Sequence, residues 1–234
     1  MKRIFISILA IVFLGILSPG AHTEVFTDYN FPNGVLWQIG GFEKYDILQR
    51  GLVVGEATIK YRKLEMLDQP AYRLEWTEKW TDTNGIVYDI SQDTKLASSD
   101  LRVLMATRIE NVGGKEWRYE GNYTGGNLSI GFFVPDDAER HEFNVARSTS
   151  FSDADVLPFL FRNIPLTDGN FVTFTVLDLG TQTFFTPIGN VKGSEIVETA
   201  KTQYDCWVVS VSTQSGGFTA YYSKSDRHYL VKVK

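Results

Sequence analysis

Cysteine is almost absent: the 234 residues hold one, Cys206. No intrachain disulfide can form, so stability has to come from a buried apolar core, which a chain of this length can supply. Histidine is nearly as scarce, with only His22, His141 and His228. A thiol nucleophile would need a histidine partner, and Cys206, set in the β-branched run YDCWVVSV, reads instead as a small buried hydrophobe. The chain also lacks G-x-S-x-G, a Walker loop, a dinucleotide fingerprint and any Cys/His metal spacing, so no enzyme motif, no cofactor and no metal is indicated. Positive charge is in deficit, with 23 basic against 28 acidic residues. That balance argues against nucleic acid, or an anionic membrane surface, as an electrostatic partner.

One long apolar run exists, from Ile4 to Leu17, preceded by Lys2 and Arg3 and followed by Ser18-Pro19-Gly20. It is short for a membrane span and ends in small residues, the pattern of a signal peptide cleaved after Gly20. The expected mature chain is therefore exported to the periplasm or secreted, without a transmembrane span, and carries a net charge of −7. Residues 21–41 form an N-terminal extension and 42–234 a single domain, since no Ser/Pro/Gly-rich linker divides the later chain.

Period-two alternation dominates that domain and helical periodicity is nearly missing. Gly55, Ala57, Ile59 and Tyr61 share one face of a run whose other face is Glu56, Thr58, Lys60 and Arg62. Short turns such as LDQP, TDTNG, NVGGK and TDGN separate such runs, which predicts an all-β fold. About 10–12 antiparallel strands are expected, in a barrel or a strongly curved sheet or sandwich. The predicted strands are 43–49, 52–64, 71–80, 86–92, 101–110, 115–121, 128–134, 171–179, 191–198, 202–212, 218–223 and 228–234. Gly55, mid-strand on the apolar face, marks a bend or a close backbone approach.

The segment SDADVLPFLFRNIPL departs from this pattern. Asp153 or a neighbour as N-cap, Pro158 in the first turn and Pro165 as a stop predict one short helix near 153–163. Its apolar residues, among them Leu157, Phe159, Leu160 and Phe161, cover more than one face, so it is expected to be buried on most sides or to lie across a hydrophobic opening as a plug or lid. Arg162 within it must be paired if it is buried, by backbone carbonyls or an acid, with Glu78 one candidate.

Glu78 raises the same question from a strand. In WTEKW, alternation turns it inward between Trp76 and Trp80, where a carboxyl acquires a raised pKa unless it is paired; a bulge, or a strand end that reaches water, is the alternative. Arg102 and Arg108 pose the question again on LRVLMATRIE. The acidic stretch PDDAERHE reads as a solvated turn, because it has no calcium-loop or H-E-x-x-H spacing.

The pair YDILQRGLVVGEATIKYRK, the segment LPFLFRNIPLTDGNFVTFTVLD and the closing VKGSEIVETAKTQYDCWVVSVSTQSGGFTAYYSKSDRHYLVKVK resemble a family of exported bacterial β proteins grouped as a domain of unknown function. The likeness covers residues 42 to 234 and implies a periplasmic or outer-membrane-associated β protein, with no catalytic residues to carry over. The architecture also resembles, more weakly, periplasmic lipoprotein carriers of the LolA/LolB type. The resulting expectation is a non-enzymatic envelope protein that binds a lipid, an acyl chain or another apolar ligand through Trp76, Glu78, Trp80, Leu157, Phe159, Leu160, Phe161 and Arg162. An envelope scaffold that binds a protein partner is the alternative, and a glycan-binding or glycan-processing protein comes third.

Overall fold

The computed structural model describes residues 36–124, 127–137, 139–146, 151–199, 201–213 and 216–234, so the leader expected over residues 1–20 lies outside the described residues. Eight strands follow one another as an antiparallel meander: β1 (Phe42–Gln49), β2 (Leu52–Met66), β3 (Gln69–Thr81), β4 (Val87–Ala97), β5 (Val103–Val112), β6 (Lys115–Thr124), β7 (Asn127–Phe133) and β8 (His141–Ala146). Tight turns set their register. Arg50 and Gly51 have φ of 51° and 83°, and Gly113 and Gly114 have 58° and 83°, the double positive φ that matches the twist of a two-residue hairpin.

Because each strand pairs with its sequence neighbour, inward residues line up in rows across the sheet. One row runs Glu43, Ile59, Trp76, Gln92, Arg108, Tyr119, Phe132. The next, closer to the β1–β2 turn, runs Tyr45, Ala57, Glu78, Ile90, Glu110, Trp117. Gly55 sits opposite Trp80, and a Cβ there would lie 2.1 Å from the Lys79 carbonyl oxygen, so the close approach expected at this glycine is present.

After β8 the chain forms the very short β9 (Ser152–Asp153), a 3-10 turn (Ala154–Val156) and α1 (Leu157–Phe161). β10 (Phe171–Thr173) and β11 (Val176–Asp178) follow, then β12 (Thr183–Phe185), β13 (Ile188–Glu198), β14 (Gln203–Thr213), β15 (Gly216–Ser223) and β16 (Leu230–Val233). A five-stranded sheet has the order β10-β13-β14-β15-β16, and β12-β11-β9 makes a small third sheet. The predicted strand 171–179 is thus two strands in two sheets: FVTFTVLD alternates without a break, yet Val172, Phe174 and Val176 are all buried where the chain crosses over. β9 and β11 pair in parallel, an exception to the antiparallel rule. β8, unpredicted, begins with the last residues of PDDAERHE, whose charges hide its alternation.

The main apolar core lies between the two large sheets. Ile59, Tyr61, Leu74, Leu96 and Ile130 come to it from the first sheet, Val191, Val209, Val211 and Tyr222 from the second, and α1 lies among them. Trp37, from the stretch read as an extension, joins this core, stacked on Tyr61 at 5.6 Å with its indole N–H donating to the Phe159 carbonyl.

Candidate functional site

The segment 153–162 is held at both ends, and the two clasps mirror each other. At its C-terminal end Arg162, with no exposed surface, donates from Nη1 to Glu43 Oε1 at 2.6 Å and from Nε to the Arg227 carbonyl at 2.7 Å. The Tyr229 ring lies 4.9 Å from the guanidinium carbon. Glu43 Oε2 accepts from the Tyr45 and Tyr61 hydroxyls, whose pKa values burial and the Glu43 charge push far up, so both remain donors. The clasp joins β1 to the loop before β16 and so ties the two large sheets to the helix. Glu78 is not the partner of Arg162; Glu43 is. The signal was available, because FEKYDILQ alternates with Glu43, Tyr45 and Ile47 inward, the parity that singled out Glu78.

Carbonyls at the end of so short a helix need hydrogen-bond donors from elsewhere. Tyr222 Oη donates to the Pro158 carbonyl and Asn163 Nδ2 to that of Phe159. Leu157, Phe159, Leu160 and Phe161 are buried to the same depth as Arg162. Phe161 fits against Gly189, where a Cβ would fall 2.2 Å from its ring. The structure places these four predicted contact residues in the core, where they fill one end of the interior.

At the N-terminal end the roles are exchanged. Here the segment supplies the acid, Asp155, and the sheet supplies the base, Arg108, which is also paired with Glu110. Acid at the start and base at the end complement the direction of the peptide dipoles. Asp153, fully buried, caps the 3-10 turn by accepting from the Asp155 N–H at 3.0 Å, and its other oxygen accepts from Gln92 Nε2 at 2.9 Å. Burial first, then the Asp155 charge, pushes its pKa up to about 8. The Tyr123 hydroxyl, inaccessible to solvent, has no hydrogen-bond partner among the described residues. Sequence reasoning missed Asp153 and Gln92 as a pair, since residues so far apart in the chain meet only through the fold.

Trp76, Glu78 and Trp80 sit beside this second clasp, all half-buried on the inward face, as alternation predicts. Burial raises the Glu78 pKa, while the indole N–H groups of Trp80 and Trp76 and the Arg108 charge favour its ionised form. Trp76 packs against Phe159 at 5.5 Å, so it borders the filled end. Trp80 stacks on Tyr88 at 3.9 Å with nearly parallel rings, and neither joins the core. Ile90, Val112 and Trp117 likewise remain outside it and half-buried. Arg108 thus turns inward, whereas Arg102 pairs with Asp100 outside the core. In the PDDAERHE turn, Asp137 caps the Glu139 N–H and pairs with His141, and among the described residues no three His, Cys, Asp or Glu converge as metal ligands.

The interior is therefore unequal: one end is packed solid around α1, and the end toward the β1–β2 and β3–β4 turns is lined by half-exposed aromatics over a charged base. No helix among the described residues is long and apolar enough to cross a membrane. No curated protein matches the chain. A solved structure that it resembles is the crystal structure of a beta-barrel-like protein of domain of unknown function DUF1849 from Brucella abortus. The TM-score is 0.52 at 12% identity, over 82% of this chain and 89% of that one, a likeness of fold alone. A family model matches residues 44–234, and on that match the chain belongs to the family of proteins of unknown function DUF3108.

Proposed function

We propose that this protein is an exported, non-enzymatic component of the cell envelope that holds an apolar or amphipathic molecule, such as a lipid or acyl chain, in the open end of its barrel-like fold. One observation carries the reading: Trp76, Trp80, Tyr88, Ile90 and Trp117 face the interior yet stay half-exposed, while α1 and its neighbours fill only the other end. Apolar side chains that could have been covered and are not define a place for something else to cover them. Phe159 forms the floor through Trp76, with Leu157, Leu160 and Phe161 behind it and Arg162 fixing the whole segment. Glu78 and Glu110 in one row of the wall and Arg108 in the adjacent row supply a band of polar groups, which suits a ligand with one polar end.

Organic extraction of the purified protein followed by mass spectrometry should release a lipid, and a fluorescent fatty acid should bind in competition with it. Trp80→Ala should weaken that binding about tenfold or more, since an aromatic wall of this size contributes on the order of 1–3 kcal/mol. Preparations that are repeatedly empty, together with no binding of the fluorescent probe, would sink the reading.

A further inference from the structure

Scattered apolar residues on a protein surface need no explanation, but a cluster of them does. Among the described residues twelve large apolar side chains are exposed, and five of them lie at two neighbouring hairpin ends: Leu48 (56%), Leu52 (72%), Val53 (63%), Ile86 (39%) and Val87 (43%). The β1–β2 and β3–β4 turns are at the same end of the meander, because strands alternate in direction and odd-to-even connections all fall on one side. The remaining seven are spread out: Ile39 and Phe42 before and at the start of β1, Leu67 in the β2–β3 turn, and Ile188, Ile196, Tyr204 and Val233 on the second sheet. Leu48 and Val53 face each other across the β1–β2 ladder, with Leu52 one residue away, so three of the five form one knob.

We propose that these two hairpin ends dock the protein on the surface of a phospholipid bilayer, with Leu48, Leu52, Val53, Ile86 and Val87 inserted among the headgroups and upper acyl chains. The shape favours a fluid partner: these side chains project on turn crowns rather than spreading over a flat face, and separate knobs enter a lipid surface without needing a matching pocket. Local charge agrees. Arg50, at the crown between Leu48 and Leu52, has no ion-pair partner among the described residues and is free to meet a lipid phosphate. The Asp82 carboxylate at the next crown is turned back onto the N–H groups of its own loop, accepting from Asn84 and Ile86 at 2.8 Å each, and Lys115 is paired with Asp136. The surface is also continuous with the open end of the interior, since Trp80 and Tyr88 flank the β3–β4 turn, and stacked amphipathic rings suit a membrane interface. With an acidic chain behind it, attachment is driven by apolar insertion rather than by bulk charge.

The docking surface stands on the crowns and is tested apart from any ligand in the interior. The protein is purified after export, with its intact mass confirming that residues 4–17 are gone, and is floated with phosphatidylcholine vesicles. It should float with them at low and high salt alike. The double variant Leu52→Asp, Val53→Asp should lose binding on the order of tenfold or more while keeping the wild-type circular dichroism and melting temperature. Ile196→Asp, on the second sheet, should float as the wild type does. The proposal is overturned if the wild type stays in the dense fraction, if the double variant floats equally well, or if flotation disappears at high salt. It is also overturned if sedimentation shows a dimer that the double variant dissolves, because the occupant is then a second copy. Fatty-acid binding without vesicle binding would leave the ligand reading intact and remove only this one.

Discussion

Arg162 and Arg108 do the same chemical job at opposite ends of one segment, and their surroundings make it a different job. Arg162 is wholly enclosed, with Glu43 only slightly exposed, two tyrosine hydroxyls on the acid and a carbonyl on the guanidinium. Arg108 keeps about a fifth of its side chain in contact with solvent, as does Glu110, and Asp155 is somewhat more open. In a dry site the Coulomb attraction is strong, but so is the penalty for losing one partner; near water both shrink together. The first clasp is therefore a structural pin, whereas the second lies at the boundary where the interior opens and charge remains available to a ligand.

Substitutions at the two arginines should separate the clasps. The largest effect should come from Arg162→Met, which strands Glu43 in the core and should cost about 3–5 kcal/mol in chemical denaturation. A loss below about 1 kcal/mol would mean that the pair behaves as an exposed one. Arg108→Met should cost less, about 1–2 kcal/mol, between the limits for exposed and buried pairs. If the two variants were equally damaging, the distinction between pin and boundary would fail.

A pH titration sharpens the contrast further. Asp153 ionises near 3.8 when unfolded but at about 8 in the fold, so between these values the folded protein holds a proton that the unfolded chain has released. Its contribution is fully present below about pH 4 and is lost as pH rises through about 8, with a slope of at most about 1.4 kcal/mol per pH unit. Asp153→Asn should remove that slope, and unchanged pH dependence of the melting temperature in the variant would contradict the assignment. The smallest stability effect is expected for Glu78→Gln, within about 1 kcal/mol, because a half-buried carboxyl with a raised pKa loses little on becoming neutral. Its mark should appear in ligand affinity, measured by displacement of a fluorescent amphiphile.

Much of the fold was legible because a strand with one buried face writes its parity into the sequence. Tyr72, Leu74, Trp76, Glu78 and Trp80 face inward as their spacing demands, and the short helix falls where Asp153, Pro158 and Pro165 bracket it. Parity fails where charge or crossover interrupts it. His141 and Glu142 open β8 with residues that suit a turn, and FVTFTVLD keeps alternating through a change of sheet that no single residue marks. The site was half legible on the same grounds. Alternation located Glu78 and would have located Glu43, but it could not say that Glu43 meets Arg162, 119 residues away in the chain.

By itself the sequence determined the β class, the inward faces, the turns and the presence of one buried helix bearing a cation, since each follows from local periodicity and local backbone preference. The tertiary structure decided which acid neutralises Arg162 and that Asp153 is enclosed beside Gln92. It also decided that α1 fills one end of the interior and leaves Trp80 and Tyr88 uncovered at the other. Pairing, enclosure and vacancy depend on which distant strands are brought together, and a local pattern carries no record of that.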